Sequence, residues 1–317
     1  MVDVQEELKQ LREHLPAWVE ASRLHAAKGK VAGYIPELAG TPANALGITV
    51  MDASGECVTV GDCDLNFTMQ SISKVFTLLL ALMDRGEEAV FAKVGMEPSG
   101  DDFNSILKLE LVEPGIPFNP LINAGAIAVT SLIAGSGPAE KTERITAFFS
   151  RLAGGRPLVC NEAVYRSEKA TAYRNRSIAY FLKENNVLEA HDDVEEVLDV
   201  YFRHCAIELT CAQLARMALV LAHAGRDPLT GEALIPSRYV QIAKTFMVTC
   251  GMYNASGEFA IRAGLPAKSG VSGGILALVP NRYGIGVIGP ALNRKGNSTA
   301  GVHLLETLSQ HFGWSLF

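Results

Sequence analysis

The chain has no excess of positive charge. Its 28 Lys and Arg stand against 34 Asp and Glu, and the net charge of −6 argues against a nucleic-acid surface. It has no long hydrophobic run either. Stretches such as Val75 to Met83 and Ala124 to Ala134 are too short to span a bilayer, and without a basic amphipathic helix no membrane partner is expected. The six cysteines include no Cys-x-x-Cys, and the seven histidines no His-x-x-x-His or His-Glu-x-x-His, so no metal site is expected. Cys57 and Cys63 have the spacing to pair across a hairpin, but reduced thiols are the expectation. The N-terminus, Met1 to Leu8, is acidic and polar, unlike a secretory signal. A cytosolic protein fits these features. Repeats, low-complexity tracts and Pro/Ser-rich linkers are all missing.

What is there begins with Ser71 and Lys74, followed much later by Lys268-Ser269-Gly270. Ser-x-x-Lys opening an apolar helix, with a late Lys-Ser/Thr-Gly on a strand, describes a serine acyl-transfer site in which lysine serves as the base. A second match, Ser105 to Lys108, competes with the first. Context favours Ser71, because residues 71–83 read as a buried helix stopped by Arg85-Gly86. Ser71 then lies in the first turn, where free N–H groups and the helix dipole favour a developing anion. A spacing of three puts Lys74 on the same face, and apolar neighbours depress its proton affinity. Taken alone, the pair would be an N-cap serine and a snorkelling lysine.

Around this helix, residues 4–27 show helical spacing, with Pro16 breaking the run. Residues 46–51 and 57–60 are strand-like and flank a turn at 52–55. Asn123 opens a helix that is apolar all round and therefore buried. Further helices fit 140–153, 175–186, 192–204 and 208–224. Strands are expected at 257–262, 275–279 and 283–288, and a last helix at 298–312. His204, in an apolar stretch, reads as a satisfied core residue. The order implies an α+β fold: an antiparallel sheet completed by both chain ends, flanked by helices, with a helical lobe between. The whole chain is expected to be one catalytic unit, with a sheet lobe of 1–90 plus 245–317 and a helical lobe of 91–244. The Ser71 helix should face Lys268-Ser269-Gly270 across the crevice between them. Gly270-Val271-Ser272-Gly273-Gly274 matches the nucleophile elbow Gly-x-Ser-x-Gly, but a β-like run follows where that elbow needs a helix.

Several segments together closely resemble the serine-dependent glutaminases. They are Gln70-Ser71-Ile72-Ser73-Lys74, Asn119-Pro120-Leu121-Ile122-Asn123-Ala124-Gly125-Ala126, Cys250-Gly251-Met252-Tyr253 and Ala267-Lys268-Ser269-Gly270-Val271-Ser272-Gly273-Gly274, with Lys30 to Ala39 and Gly95 to Gly100 in support. The resemblance runs from about Gly29 to the C-terminus. It implies a β-lactamase/transpeptidase-like fold and hydrolysis of L-glutamine to L-glutamate and ammonia, without metal or organic cofactor. It also implies a homo-oligomer, dimer or tetramer. Ser71 matches the nucleophile, Lys74 its base, and Tyr34 and Tyr253 the active-site tyrosines, with Tyr253 the proton shuttle. Asn123, Glu168, Asn175 and Tyr201 match positions that hold substrate, and Val271 the one whose backbone N–H binds the amide oxygen. Animal members carry long N-terminal extensions and ankyrin repeats, whereas this sequence matches compact bacterial-type members.

Elementary chemistry agrees with these roles. A side-chain amide is a poor electrophile and needs an activated nucleophile and a stabilised oxyanion. A free amino acid brings an ammonium and a carboxylate, both of which need partners once desolvated. Without the family match, Asn123 would be a helix N-cap, Glu168 a solvated partner of Lys169, and Tyr201 a core aromatic. The role of Lys268 stays open, between adding positive potential to the crevice and pairing with an acidic neighbour. Two rivals remain: a β-lactamase or D-alanyl-D-alanine peptidase of the same fold, and a non-catalytic glutamine sensor.

Overall fold

The computed structural model describes residues 4–33, 35–99 and 115–317. The expectations for Tyr34 and for the Ser105/Lys108 pair lie outside the described residues. Strands β1 (Gly47–Asp52) and β2 (Cys57–Gly61) form the expected hairpin. Asp52 Oδ1 shapes its turn by accepting the Ser54 and Glu56 amides, each at 2.9 Å. Two short strands follow at intervals, β3 (Phe67–Thr68) and β4 (Val159–Cys160). They pair with β5 (Ile207–Leu209) in a small sheet of order β3–β5–β4. The sequence reading contained no such sheet, because strands of two or three residues leave no periodic pattern. The last strands are β6 (Ala267–Ser269), β7 (Gly274–Val279) and β8 (Tyr283–Ile288). All five strands of the main sheet run antiparallel in the order β2–β1–β8–β7–β6, so both chain ends complete it.

Helices cover both faces of that sheet. α1 (Val4–Arg23) and the final helix, Thr299–Phe312, bury Leu8, Leu11, Leu15, Leu304 and Leu308 against Ile48, Val50, Ile285 and Val287. The alternate residues face the other way. There, Gly284 and Gly286 let the helix Cys211–Ala222 lie directly on the strand. A Cβ at Gly284 would stand 2.1 Å from the Ala215 carbonyl oxygen and 2.3 Å from the Leu219 nitrogen. Both contacts are backbone, which does not yield. Gly284→Ala is expected to cost roughly 2–3 kcal/mol through overpacking, read as a lower calorimetric midpoint, whereas Gly257→Ala, with open space around it, should leave the midpoint unchanged.

Apart from a single turn at Pro36–Ala39, the remaining helices in chain order are α2 (Ser73–Phe91), α3 (Asn123–Leu132), α4 (Pro138–Leu152), α5 (Glu162–Thr171), α6 (Tyr173–Glu184) and α7 (Val194–Cys205). They are followed by α8 (Cys211–Ala222), α9 (Ser237–Cys250), α10 (Ser256–Arg262) and α11 (Thr299–Phe312). α2 is the buried helix read from the sequence. Every residue from Ser73 to Leu82 is buried, and Gly86 interrupts it at φ 79°. α3 is buried from Asn123 to Thr130, as its apolar run requires. Among the described residues no helix is long and apolar enough to cross a membrane.

Three expectations need correction. Pro16 does not break α1. It removes the N–H that would bond the Arg12 carbonyl, but both residues face solvent, where water serves that oxygen. The expected strand 257–262 is the helix α10. Its buried positions, Ser256 and Phe259, are three apart, and Ile261 is 88% exposed, so the apolar run there marks no buried β face. The third strand is β6 instead. The expected helix at 208–224 begins only at Cys211, where Thr210 caps it with a reciprocal Gln213 bond after β5 ends. α5 and α9 were not read from the sequence at all.

Candidate active site

Gln70 to Ile72 form one 3-10 turn leading into α2, so Ser71 sits one turn earlier than an α-helical start would place it. The cause is Gln70, held at φ 48°, a left-handed conformation that costs energy for a residue with a Cβ. Ser73 Oγ holds the Gln70 carbonyl at 2.7 Å and stands 2.8 Å from His204 Nδ1. Thr130 Oγ1 lies 3.2 Å from His204 Nε2. Burial, then the Lys74 charge, push His204 down to about 3. It is therefore a neutral, hydrogen-bonded core residue, as read from the sequence, and it props the turn that presents Ser71.

Against this turn packs the β6–β7 connection. A Cβ at Gly270 would stand 2.7 Å from the Met69 carbonyl oxygen, so only glycine admits the connection this close. Val271 follows, in a turn closed by Gly270 N to Gly274 O and Gly273 N to Gly270 O, both 2.9 Å. A strand enters and a strand leaves, so the Gly-x-Ser-x-Gly match is a β-connection and not a nucleophile elbow. The Ser71 and Val271 backbone N–H groups have no acceptor among the described residues. Two unused donors beside a serine hydroxyl can receive a developing oxyanion.

A cavity of about 200 Å³ opens here, and its lining includes Ser71, Asn123, Glu168, Asn175, Tyr201 and Val271. Lys74 lies beneath it, fully buried. Its Nζ donates to Asn123 Oδ1 at 2.6 Å, and Asn123 Nδ2 donates to Asn175 Oδ1 at 2.9 Å. Asn123 is thus no helix cap, a position taken by Ile122 without a side-chain bond. Burial lowers Lys74 to about 8, with the Glu168 charge opposing, so a neutral amine is accessible near neutrality. Glu168 is not a solvated partner of Lys169. Burial raises it to about 7 against a Gln70 hydrogen bond and the Lys74 charge. Part of the residue meets solvent, yet its Oε2 is buried with no hydrogen-bond partner among the described residues, and an incoming ammonium would satisfy it. Tyr201 is 2% exposed, and burial holds its hydroxyl well above the ordinary range.

On the far side of Ser71 stands Tyr253, at φ 53°, the second left-handed residue of the site. Its hydroxyl donates to the Ser269 carbonyl at 3.0 Å and lies within hydrogen-bond reach of Ser71. Burial keeps the phenol protonated. Lys268 is buried, donates to the same carbonyl at 2.6 Å and stands 4.2 Å from the Tyr253 ring centre. Burial and the neighbouring Lys74 charge lower its proton affinity well below that of an ordinary lysine. The pairing of Lys268 with an acidic neighbour therefore does not occur among these contacts; it bonds a carbonyl and an aromatic face. All six cysteines are free, as expected for Cys57 and Cys63. The sequence reading missed Gln70 as a residue of the cavity wall, along with Thr171, Arg174 and Cys205. The signal for Gln70 and Arg174 was available: each immediately precedes a residue that was named.

Residues 29–317 match the family model described as Glutaminase. A glutaminase of Geobacillus thermodenitrificans is 55% identical over 306 residues, covering 96% of this chain and 98% of that protein. The crystal structure of a Bacillus glutaminase in the presence of 4.3 M NaCl superposes with a TM-score of 0.90 at 45% identity, covering 96% of this chain and 99% of that one. A Bacillus subtilis glutaminase in covalent complex with 5-oxo-L-norleucine superposes with a TM-score of 0.86 at 43% identity, over 96% and 99% of the two chains. The antiparallel sheet and its helices are the β-lactamase-like fold of these proteins. The chain belongs to the glutaminase family, hydrolases that act on an amide.

Proposed function

We propose that this protein hydrolyses L-glutamine to L-glutamate and ammonia through a γ-glutamyl ester on Ser71. Neutral Lys74 takes the Ser71 proton as Oγ attacks the amide carbon. The Ser71 and Val271 amides hold the oxyanion. Tyr253 passes a proton to the departing nitrogen, which leaves as ammonia, and regains one from Lys74. Water then enters, Lys74 takes its proton, and the ester is cleaved to release glutamate and restore the Ser71 hydroxyl. Glu168 pairs with the substrate ammonium, while Asn123, Asn175 and Tyr201 make the remaining polar contacts. The observation that carries the reading is the orphaned Glu168 Oε2 in the same cavity as Ser71, a binding charge beside a nucleophile. A relative's covalent complex with 5-oxo-L-norleucine, formed by reaction with 6-diazo-5-oxo-L-norleucine, supports a covalent intermediate.

In this reading the chain acts as one catalytic unit, its cavity lying between a sheet lobe (1–90 and 245–317) and a helical lobe (91–244). A homo-oligomer, dimer or tetramer, belongs to the same proposal on the strength of the family resemblance, and a cytoplasmic location belongs to it because six unpaired cysteines suit a reducing compartment. The test is ammonia release from L-glutamine compared with L-asparagine. Release from glutamine, with asparagine slower by at least about 100-fold, is the expected result. Equal rates would sink the assignment of Glu168 and its neighbours as a ruler for chain length, and hydrolysis of a cephalosporin would redirect it to the β-lactamase alternative.

A further inference from the structure

The three helices that contribute Glu168, Asn175 and Tyr201 to the cavity all touch the side chain of Arg176, and α5 and α7 are further tied by Asp199, which accepts from Tyr165 and Lys169. α5 ends at Thr171 and α6 begins at Tyr173, so Ala172 alone turns the chain between them. The end of a helix leaves carbonyls without intrahelical partners, and Lys169 O is one of these. Arg176 Nη1 donates to it at 2.8 Å. From the same guanidinium, Nε donates to Glu195 Oε1 at 3.0 Å and Nη2 to Glu195 Oε2 at 3.2 Å, a two-pronged contact that fixes orientation as well as distance. Glu195 lies in the first turn of α7. The Arg176 side chain is 25% exposed and that of Glu195 45%, so the guanidinium is half-buried while its carboxylate partner stands at the surface.

Each anchor of Arg176 stands close along its helix to a cavity residue. Lys169 follows Glu168, Arg176 follows Asn175, and Glu195 lies less than two turns before Tyr201. We propose that Arg176 is a positioning residue that sets the α5–α6 elbow against α7, and so fixes the spacing of the groups that grip the amino-acid end of the substrate. The inference rests on the proposed function above. Ser71 and Lys74 belong to α2 and its leading turn, which Arg176 does not touch, and it reaches Lys74 only through Asn175 and Asn123, so binding should suffer more than chemistry.

Steady-state kinetics on L-glutamine, with L-glutamate as competitive inhibitor, tests this in Arg176→Ala, Arg176→Lys and Glu195→Gln, with Glu168→Gln as reference. In Arg176→Ala, KM and the glutamate inhibition constant should rise together by about ten-fold while kcat stays within about three-fold. Arg176→Lys should recover only part of this, because one ammonium does not reproduce the fork. Unchanged KM and inhibition constant, or a fall in kcat at constant KM, overturns the proposal. If Arg176→Ala does not fold, the same split in Arg176→Lys and Glu195→Gln decides it. A Glu168→Gln variant with unaltered KM would remove the amino-acid reading of the cavity itself, whereas raised KM there with Arg176→Ala unaffected removes this inference alone.

Discussion

Ser71→Ala should lower kcat for ammonia release by about 10⁴–10⁶-fold while L-glutamate still binds with near-native affinity. The loss is large because the alternative, direct attack of water on an amide, lacks a nucleophile that the fold holds in place. Binding survives because Glu168, Asn123, Asn175 and Tyr201 line the same cavity independently of the serine hydroxyl. Ser272→Ala is the informative control. Its hydroxyl sits in the β6–β7 connection, 3.4 Å from the Gly274 amide, and the variant should keep kcat within about three-fold. A large loss in Ser272→Ala with activity preserved in Ser71→Ala would reverse the assignment. Stopped turnover is read from steady-state kinetics, and retained glutamate binding in the inactive variant from isothermal titration calorimetry.

Lys74→Arg should cost a comparable factor, about 10³–10⁵, and should also abolish the pH dependence that Lys74 confers. The sign follows from the state each group needs. Lys74 works as a base only when neutral, and burial lowers it to about 8, so the competent fraction grows as pH rises through that value. Glu168 must be ionised to meet an ammonium, and with its carboxyl raised to about 7 its competent fraction also grows with pH. Both effects make kcat/KM climb from about pH 6 and flatten above about pH 9. Tyr253, protonated throughout, adds no falling limb in that window. An arginine keeps its charge across this range, so Lys74→Arg should show a low profile that keeps only the rise near pH 7 due to Glu168. A wild-type profile that falls between pH 7 and 9 would exclude Lys74 as the base.

The parts of the fold legible in the sequence are those set by neighbours along the chain. The 52–55 turn, the run at 283–288 and the apolar stretch after Ser71 each carry a local pattern, and β1, β2, β8 and α2 lie where those patterns put them. Ser71 and Lys74 were legible for the same reason, since a spacing of three dictates a shared helical face. Residues whose roles depend on distant partners were not. Gln70 shows nothing in sequence of its left-handed backbone. Arg176 shows nothing of Lys169 and Glu195, which only the meeting of three helices brings to its guanidinium. Phe259-Ala260-Ile261 looks like a strand until tertiary packing buries Phe259 and leaves Ile261 in solvent.

The sequence by itself determined which chemical groups the site has: a hydroxyl, two amines, the phenols of Tyr201 and Tyr253, a carboxyl and two amides in motifs of fixed spacing. Tertiary structure alone decided their states. Lys74 is an accessible base and Glu168 a poised carboxylate because both were carried out of water, and because Lys74 was placed against Asn123 from another helix. Proton affinity answers to solvent exclusion and to charges nearby in space, and neither quantity is a property of a residue's place along the chain.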